Sequence, residues 1–193
     1  MKTIVRATKL FILMTIITGI IYPLFITLIA QGLFPGRANG SIIMENGKPI
    51  GSKLIGQNFT SDKYFWSRPS AVDYNPLPSG ASNLGPTSAI LRERMEQRRN
   101  ILMATNPSVV LLPSDLIFES GSGLDPDISP EAAMFQTERV AKYRGLDSEG
   151  KNKLINLVEK QIKPPDFNIL GEPRINVLGL NLALDSTFEG WKP

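Results

Sequence analysis

Between Glu119 and Glu131 the chain reads ESGSGLDPDISPE, a stretch where hydroxyls, carboxylates and glycines crowd together. Three chemistries suit such residues. Ser120 or Ser122 could act as a nucleophile, Gly121 and Gly123 could expose N–H groups to an anion, and Asp125 with Asp127 could ligate a cation. Each is incomplete. A phosphate loop needs Lys-Ser or Lys-Thr after its glycines, and none follows. Asp125 and Asp127 are spaced like the first two ligands of a calcium-binding loop, but Pro126 and the missing later ligands spoil the match. A serine nucleophile needs a base, and no lysine lies nearby in sequence. The helix signals, by contrast, are complete: Ser129 can cap, Pro130 suits the first position, and Gly145 suits a left-handed stop after Arg144. Ser120, Gly121, Ser122, Gly123, Leu124, Asp125 and Pro126 are therefore expected to form a shaped helix-entry loop. In that reading a β-carbon at Gly121 or Gly123 would strain the backbone, and both aspartates sit near the positive end of the helix.

The chain has 193 residues and contains neither histidine nor cysteine. This removes the Ser-His-Asp triad, histidine bases, histidine-ligated metals, disulfides and thiolate chemistry. Acid–base work would fall to Asp, Glu, Lys or Tyr. The formal charge of +3 is too small to imply a nucleic-acid partner. The enzymatic alternative is a membrane-anchored extracytoplasmic hydrolase using Ser120 or Ser122 without histidine. A non-enzymatic role gains ground.

The elements that would position these residues can be read in order. Residues 41–44 and 50–55 flank Glu45-Asn46-Gly47-Lys48, a type I′ signal for a β-hairpin. Tyr64, Phe65 and Trp66 are expected to fill the core, with Arg68 either charge-paired to a partner or exposed. Residues 74–86 read as an irregular loop. A helix over 87–102 carries Leu91, Met95 and Leu102 on its apolar stripe, with Arg92, Arg94, Arg98 and Arg99 on a solvated face. Residues 108–112 suggest a buried strand and 115–118 a short extended piece. Another helix over 148–162 presents Leu154, Val158 and Ile162. At 173–185 Ile175 and Val177 alternate as in a strand, while Asn176 could equally cap a short helix.

Before all of this, residues 10–36 carry no charge. A helix rises about 1.5 Å per residue, so roughly 20 apolar residues span a bilayer core. Residues 10–33 are therefore expected to cross the membrane as an uncleaved anchor, with 1–9 cytoplasmic and 34–193 an α+β extracytoplasmic domain. Lys2, Arg6 and Lys9 set that orientation by the positive-inside rule. The run exceeds the apolar core of a signal peptide, about 7–15 residues. Thr15, Thr18, Gly19, Tyr22 and Ala30 fall on one side, a candidate partner-facing stripe, although threonine can also bond back to its own helix. Pro23 is expected to kink the helix.

Taken together, YPL at 22–24, AQGLFPGRANGS at 30–41, GSKLIGQNF at 51–59 and YFWSRPSA at 64–71 form an ordered set with SGASNLGPTS at 79–88, SGSGLDPDISPEAA at 120–133, RVAKYRG at 139–145 and RINVLGLNLALD at 174–185. That set resembles the C subunit of the bacterial Kdp potassium-transporting ATPase over nearly the whole chain. Two departures stand out: the family usually has histidine at Asp127, and often a larger polar residue at Gly179. The resemblance implies a non-catalytic accessory subunit of an ATP-driven potassium importer in the cell inner membrane. Its partners would be a channel-like K⁺-translocating subunit, a P-type ATPase catalytic subunit and a small membrane peptide. ATP and K⁺ would be handled by the complex, with no cofactor of this chain's own. The implied role is assembly, with the domain near the external K⁺ entrance, and also a rise in the catalytic subunit's ATP affinity. A domain outside the membrane cannot touch cytoplasmic ATP, so that effect would have to travel through the membrane helices.

Overall fold

Lys2 to Leu33 forms one apolar helical run of 32 residues, none of it buried. In the computed structural model, which describes residues 1–45, 47–106 and 111–188, this run belongs to a compact unit of Met1–Ser52, and Lys53–Pro193 forms a second. Within the first, α1 (Lys2–Ile16) passes into a π-helical turn (Ile17–Ile21) and then α2 (Tyr22–Leu33). The cause is Pro23. It has no N–H for the carbonyl of Gly19 four residues earlier, so the ladder changes to i→i+5 spacing, with Tyr22 N–H donating to Ile17 O. A π turn thus stands at the proline where a kink is predicted. Phe34 ends α2, and a short turn α3 (Pro35–Ala38) follows.

The hairpin forms with its second strand earlier than predicted. β1 (Ile42–Glu45) and β2 (Lys48–Ser52) run antiparallel with Glu45 opposite Lys48. Gly47 takes φ +76°, as its place in the turn requires, while Asn46 lies outside the described residues. A register shift between Ile43 and Met44 marks a bulge.

The second unit is largely helical. After an irregular segment come α4 (Ala89–Thr105), α5 (Ser114–Ile117), β3 (Asp127–Ile128), α6 (Pro130–Tyr143), α7 (Ser148–Gln161), β4 (Ile175–Asn176) and α8 (Val177–Thr187). The Ser129 cap and the Asn176 alternative read from the sequence both form, and Ser88 and Asp147 cap two further helices. Ser88, Ser129, Asp147 and Asn176 each accept the N–H three residues on, and Gly145 at φ +64° follows Arg144 at the end of α6. Leu154 and Val158 of α7, Val140 of α6, and Leu180 and Leu184 of α8 close around Phe65 in a single core. Tyr64 and Trp66 pack at its edge, so the aromatics do serve the interior.

Two expectations need correction. Of residues 115–118 only Phe118 is extended: Asp115 to Ile117 lie in the helical turn α5, closed by Phe118 N–H onto Ser114 O after the extended Pro113, and Leu116 is buried. The strand over 108–112 falls mostly outside the described residues, and Leu111 and Leu112 carry no strand. The open choice at 173–185 resolves both ways. Ile175 and Asn176 pair with Ile128 and Asp127 in a two-residue ladder, and Asn176 then caps α8.

Candidate functional site

The glycine-rich loop before α6 is the point where three other segments of the second unit meet. Ser120 N–H donates to Pro69 O, Gly56 N–H to Leu124 O, and Gly80 N–H to Ser122 O. The Ser70 hydroxyl donates to Gly123 O at 2.7 Å. Gly123 has φ +71°, and a β-carbon there would lie 2.5 Å from Val72 Cγ2 and 2.8 Å from Gly80 O. Gly121 differs. Its φ is not positive and nothing lies within 4 Å of its β-carbon position, so the strain predicted for both glycines belongs to Gly123 alone. Gly56 approaches just as closely, its β-carbon position lying 2.5 Å from Asp125 O.

The two aspartates are held by arginines as well as by their place near α6. Asp125 pairs with Arg68 at 2.9 Å and also accepts the Asp127 N–H. Arg68 therefore finds a charge partner inside the domain. Asp127 lies 3.5 Å from Arg174 and accepts from the Asn176 amide at 3.1 Å. The start of α6 is served by Ser129, whose hydroxyl and backbone N–H are in turn fixed by Asp115. A cleft of about 1020 Å³ opens beside these groups, lined by Arg68, Asp115, Asp125, Asp127, Glu131 and Arg174 among others. Carboxylates outnumber guanidiniums on its wall, which gives it a negative field. Among the described residues, no group of three or more histidine, cysteine, aspartate or glutamate side chains is arranged to hold a metal.

Ser120 is 2% exposed, and the Ser122 hydroxyl accepts the Leu124 N–H. Arg94 and Arg98 also depart from the solvated face expected of them. Both converge on Glu119 at 3.1 and 2.6 Å, tying α4 to the start of the loop. Burial alone would raise the Glu119 pKa, but the Arg98 and Ser82 hydrogen bonds and the two guanidinium charges outweigh it and hold it below the usual glutamate range.

Sequence reasoning did not single out the polar groups that grip residues 62–66. Asn181 of α8 accepts Phe65 N–H at 2.9 Å and donates to Phe65 O at 3.0 Å. Gln136 of α6 does the same for Trp66, at 2.7 and 3.2 Å. Two amides thus satisfy backbone groups that no strand or helix pairs. Arg139 is 2% exposed, stacks 3.7 Å over the Trp66 ring and donates to Asp62 O and Gln136. Burial pushes its pKa down to about 10, which leaves it a cation at physiological pH. Arg144 joins Asp185 at 2.6 Å and donates to Lys63 O. The available signal was a glutamine and an arginine on the inward side of a helix otherwise lined by alanine, valine, phenylalanine and one threonine.

In the membrane-length helix, the Thr15 and Thr18 hydroxyls donate to Phe11 O and Met14 O, the intrahelical option open to threonine. Gly19 has nothing within 4 Å of its β-carbon position, and Tyr22 is 61% exposed. The π turn re-phases Tyr22 relative to Thr15 from where a uniform helix of about 3.6 residues per turn would place it.

These features define a class: a helix long and apolar enough to cross a membrane, joined to a small α+β module whose motif residues bind one another. Comparison with known proteins makes this specific. The family model described as KdpC, K⁺-transporting ATPase, c chain, matches residues 4–186. A protein of Rhodopseudomonas palustris (strain BisB5) named potassium-transporting ATPase KdpC subunit is 49% identical, over 97% of this chain and 98% of its own. Proteins of the same name from Polaromonas naphthalenivorans (strain CJ2) and Variovorax paradoxus (strain S110) are 49% and 47% identical, covering 96% and 97% of this chain and 96% and 98% of their own. The chain belongs to the KdpC family of K⁺-transporting ATPase c chains.

Proposed function

We propose that this protein is the non-catalytic accessory subunit of an ATP-driven potassium importer, anchored by residues 10–33 with its N-terminus in the cytoplasm and the following domain outside. The observation that carries this reading is the family match over 4–186 together with the use of the motif residues. Arg68, Asp125, Gln136, Arg139 and Asn181 all bind this chain's own backbone or side chains, as a structural module requires. Its partners are the channel-like K⁺-translocating subunit, the P-type catalytic subunit and a small membrane peptide. It serves assembly and stability of that complex. Any effect on ATP affinity is transmitted through membrane helices, since the domain and cytoplasmic ATP lie on opposite sides. The helix face with Thr15, Thr18 and Gly19 meets a partner helix, where glycine permits close approach, and Tyr22 adds to that contact from beyond the π turn.

Co-purification from native membranes tests this. A tagged chain should bring down the other subunits of a potassium-transporting ATPase. Gly19→Leu should lower their recovery, whereas Ile20→Leu should not. Recovery of the chain without those subunits would overturn the assignment, and equal recovery with both variants would remove the helix face from it.

A further inference from the structure

The loop between α7 and β4 carries apolar side chains to its very tip. Phe167 is 88% exposed, Ile169 82% and Leu170 61%, although the core of the domain lies only a few residues away in sequence at Val158 and Ile175. The loop is well tied. Asp166 and Leu170 exchange backbone hydrogen bonds at 2.8 and 2.9 Å, and the Asn168 and Ile169 N–H groups turn back onto Pro165 O and Asp166 O. Lys163 and Arg174 exchange a second pair at its base, at 2.8 and 3.0 Å. Arg174, which also faces Asp127, holds the Asp166 carboxylate at 3.1 Å, so the acid beside the tip has a charge partner. Phe167 and Asn168 take φ +55° and +58°, a region a bulky side chain such as phenylalanine seldom occupies.

We propose that this tip inserts into the interfacial layer of the bilayer that holds the N-terminal helix, a lipid contact separate from the membrane span. The inference rests on the anchored reading above. The N–H groups of Asn168, Ile169 and Leu170 are bonded within the loop, which lowers the cost of moving this part of the backbone out of bulk water into the interfacial layer. Phenylalanine with two branched aliphatics is suited to the boundary between headgroups and acyl chains. Exposed Lys160 and Lys163 precede the tip, where they can meet phosphate oxygens. Area favours lipid over protein. Three such side chains offer on the order of 400 Å², against ~800 Å² per partner in a stable protein interface. A tethered domain needs no more, because the anchor keeps the bilayer at high effective concentration.

The chain has no cysteine, so one substitution gives a unique attachment point for a nitroxide. The full-length chain carrying Ile169→Cys is labelled and reconstituted alone into vesicles of phosphatidylethanolamine and phosphatidylglycerol. Power saturation then compares collisions with oxygen, which partitions into lipid, and with a water-soluble nickel chelate. The expected result is a shift at 169 toward oxygen relative to a label at Lys153→Cys on the exposed side of α7. Adding Phe167→Asp and Leu170→Asp should return the label to the Lys153 value. Access to nickel at 169 equal to that at 153 overturns the proposal, and low access to both reagents overturns it in favour of a protein contact. A label at Phe25→Cys separates the two readings. Lipid at 25 with water at 169 sinks the tip alone, whereas water at both positions sinks the anchor and the tip with it.

Discussion

Gly123 shows how a single backbone angle governs the motif loop. At φ +71°, with Val72 and Gly80 O against the position a β-carbon would take, it leaves no room for a side chain. Gly123→Val should cost about 1–3 kcal/mol from the backbone alone, with the clash adding to it. Gly121→Ala, in open space with ordinary φ, should stay within about 0.5 kcal/mol of the wild type. Thermal unfolding of the two detergent-solubilised variants checks the contrast, and equal melting points would refute the assignment of strain to Gly123. Asn181 gives the corresponding case for a polar group. Asn181→Leu leaves Phe65 N–H and C=O buried without partners, each costing about 1–3 kcal/mol, so it should rank among the most destabilising changes in the domain. Denaturant titration measures it. A loss under about 1 kcal/mol would mean that the amide clamp is dispensable.

At the scale of elements, α4 is joined to the rest by charge more than by apolar contact. Of its 17 residues only Leu102 is buried, while Arg94 and Arg98 reach Glu119. The sign of the resulting pH dependence follows from the lowered Glu119 pKa. The folded state holds the carboxylate more firmly than the unfolded state, so the stabilisation is complete above the unfolded glutamate pKa of about 4.3 and fades as pH falls through the folded value. Glu119→Gln should therefore be less stable than wild type at pH 7, and the gap should narrow below about pH 4. Unfolding curves of both proteins across pH 3–7 test this (the range set to bracket the usual ~4.3 of glutamate). A gap that does not change with pH would assign the loss to packing. The legibility of elements also divides here. Ser88, Ser129, Asp147 and Asn176 sit at helix starts as their short polar side chains dictate, because capping is settled within four residues. Residues 115–118 misled because a β-like local composition was overridden by Pro113 and by the contact of Asp115 with Ser129.

For the whole molecule, orientation is the property with the sharpest test. Lys2, Arg6 and Lys9 precede an uncharged stretch, residues 10–33, that runs to the end of α2, and no charge follows before Arg37. Ser186→Cys, on the exposed side of α8, should react with a membrane-impermeant maleimide in intact spheroplasts, and Thr3→Cys should react only after the membrane is opened. The opposite pattern would reverse the topology and remove the argument that ATP is out of reach of the domain.

What the sequence determined by itself was whatever depends on short range or on bulk composition. The uncharged run at 10–36, the helix caps, the Gly47 turn and the ordered motifs that identify the family are all of this kind, since their physics is contained in a few neighbouring residues or in a simple length. Tertiary structure alone decided the pairings. Arg68 with Asp125 bridges 57 positions, Gln136 with Trp66 70 and Asn181 with Phe65 116. Nothing local distinguishes a paired arginine from a solvated one, and an amide that grips a distant backbone looks in sequence like any polar residue on a helix. Those partners are chosen only when α6 and α8 close on the segment around Phe65, because a buried N–H or C=O must then find whatever side chain the packing brings within reach.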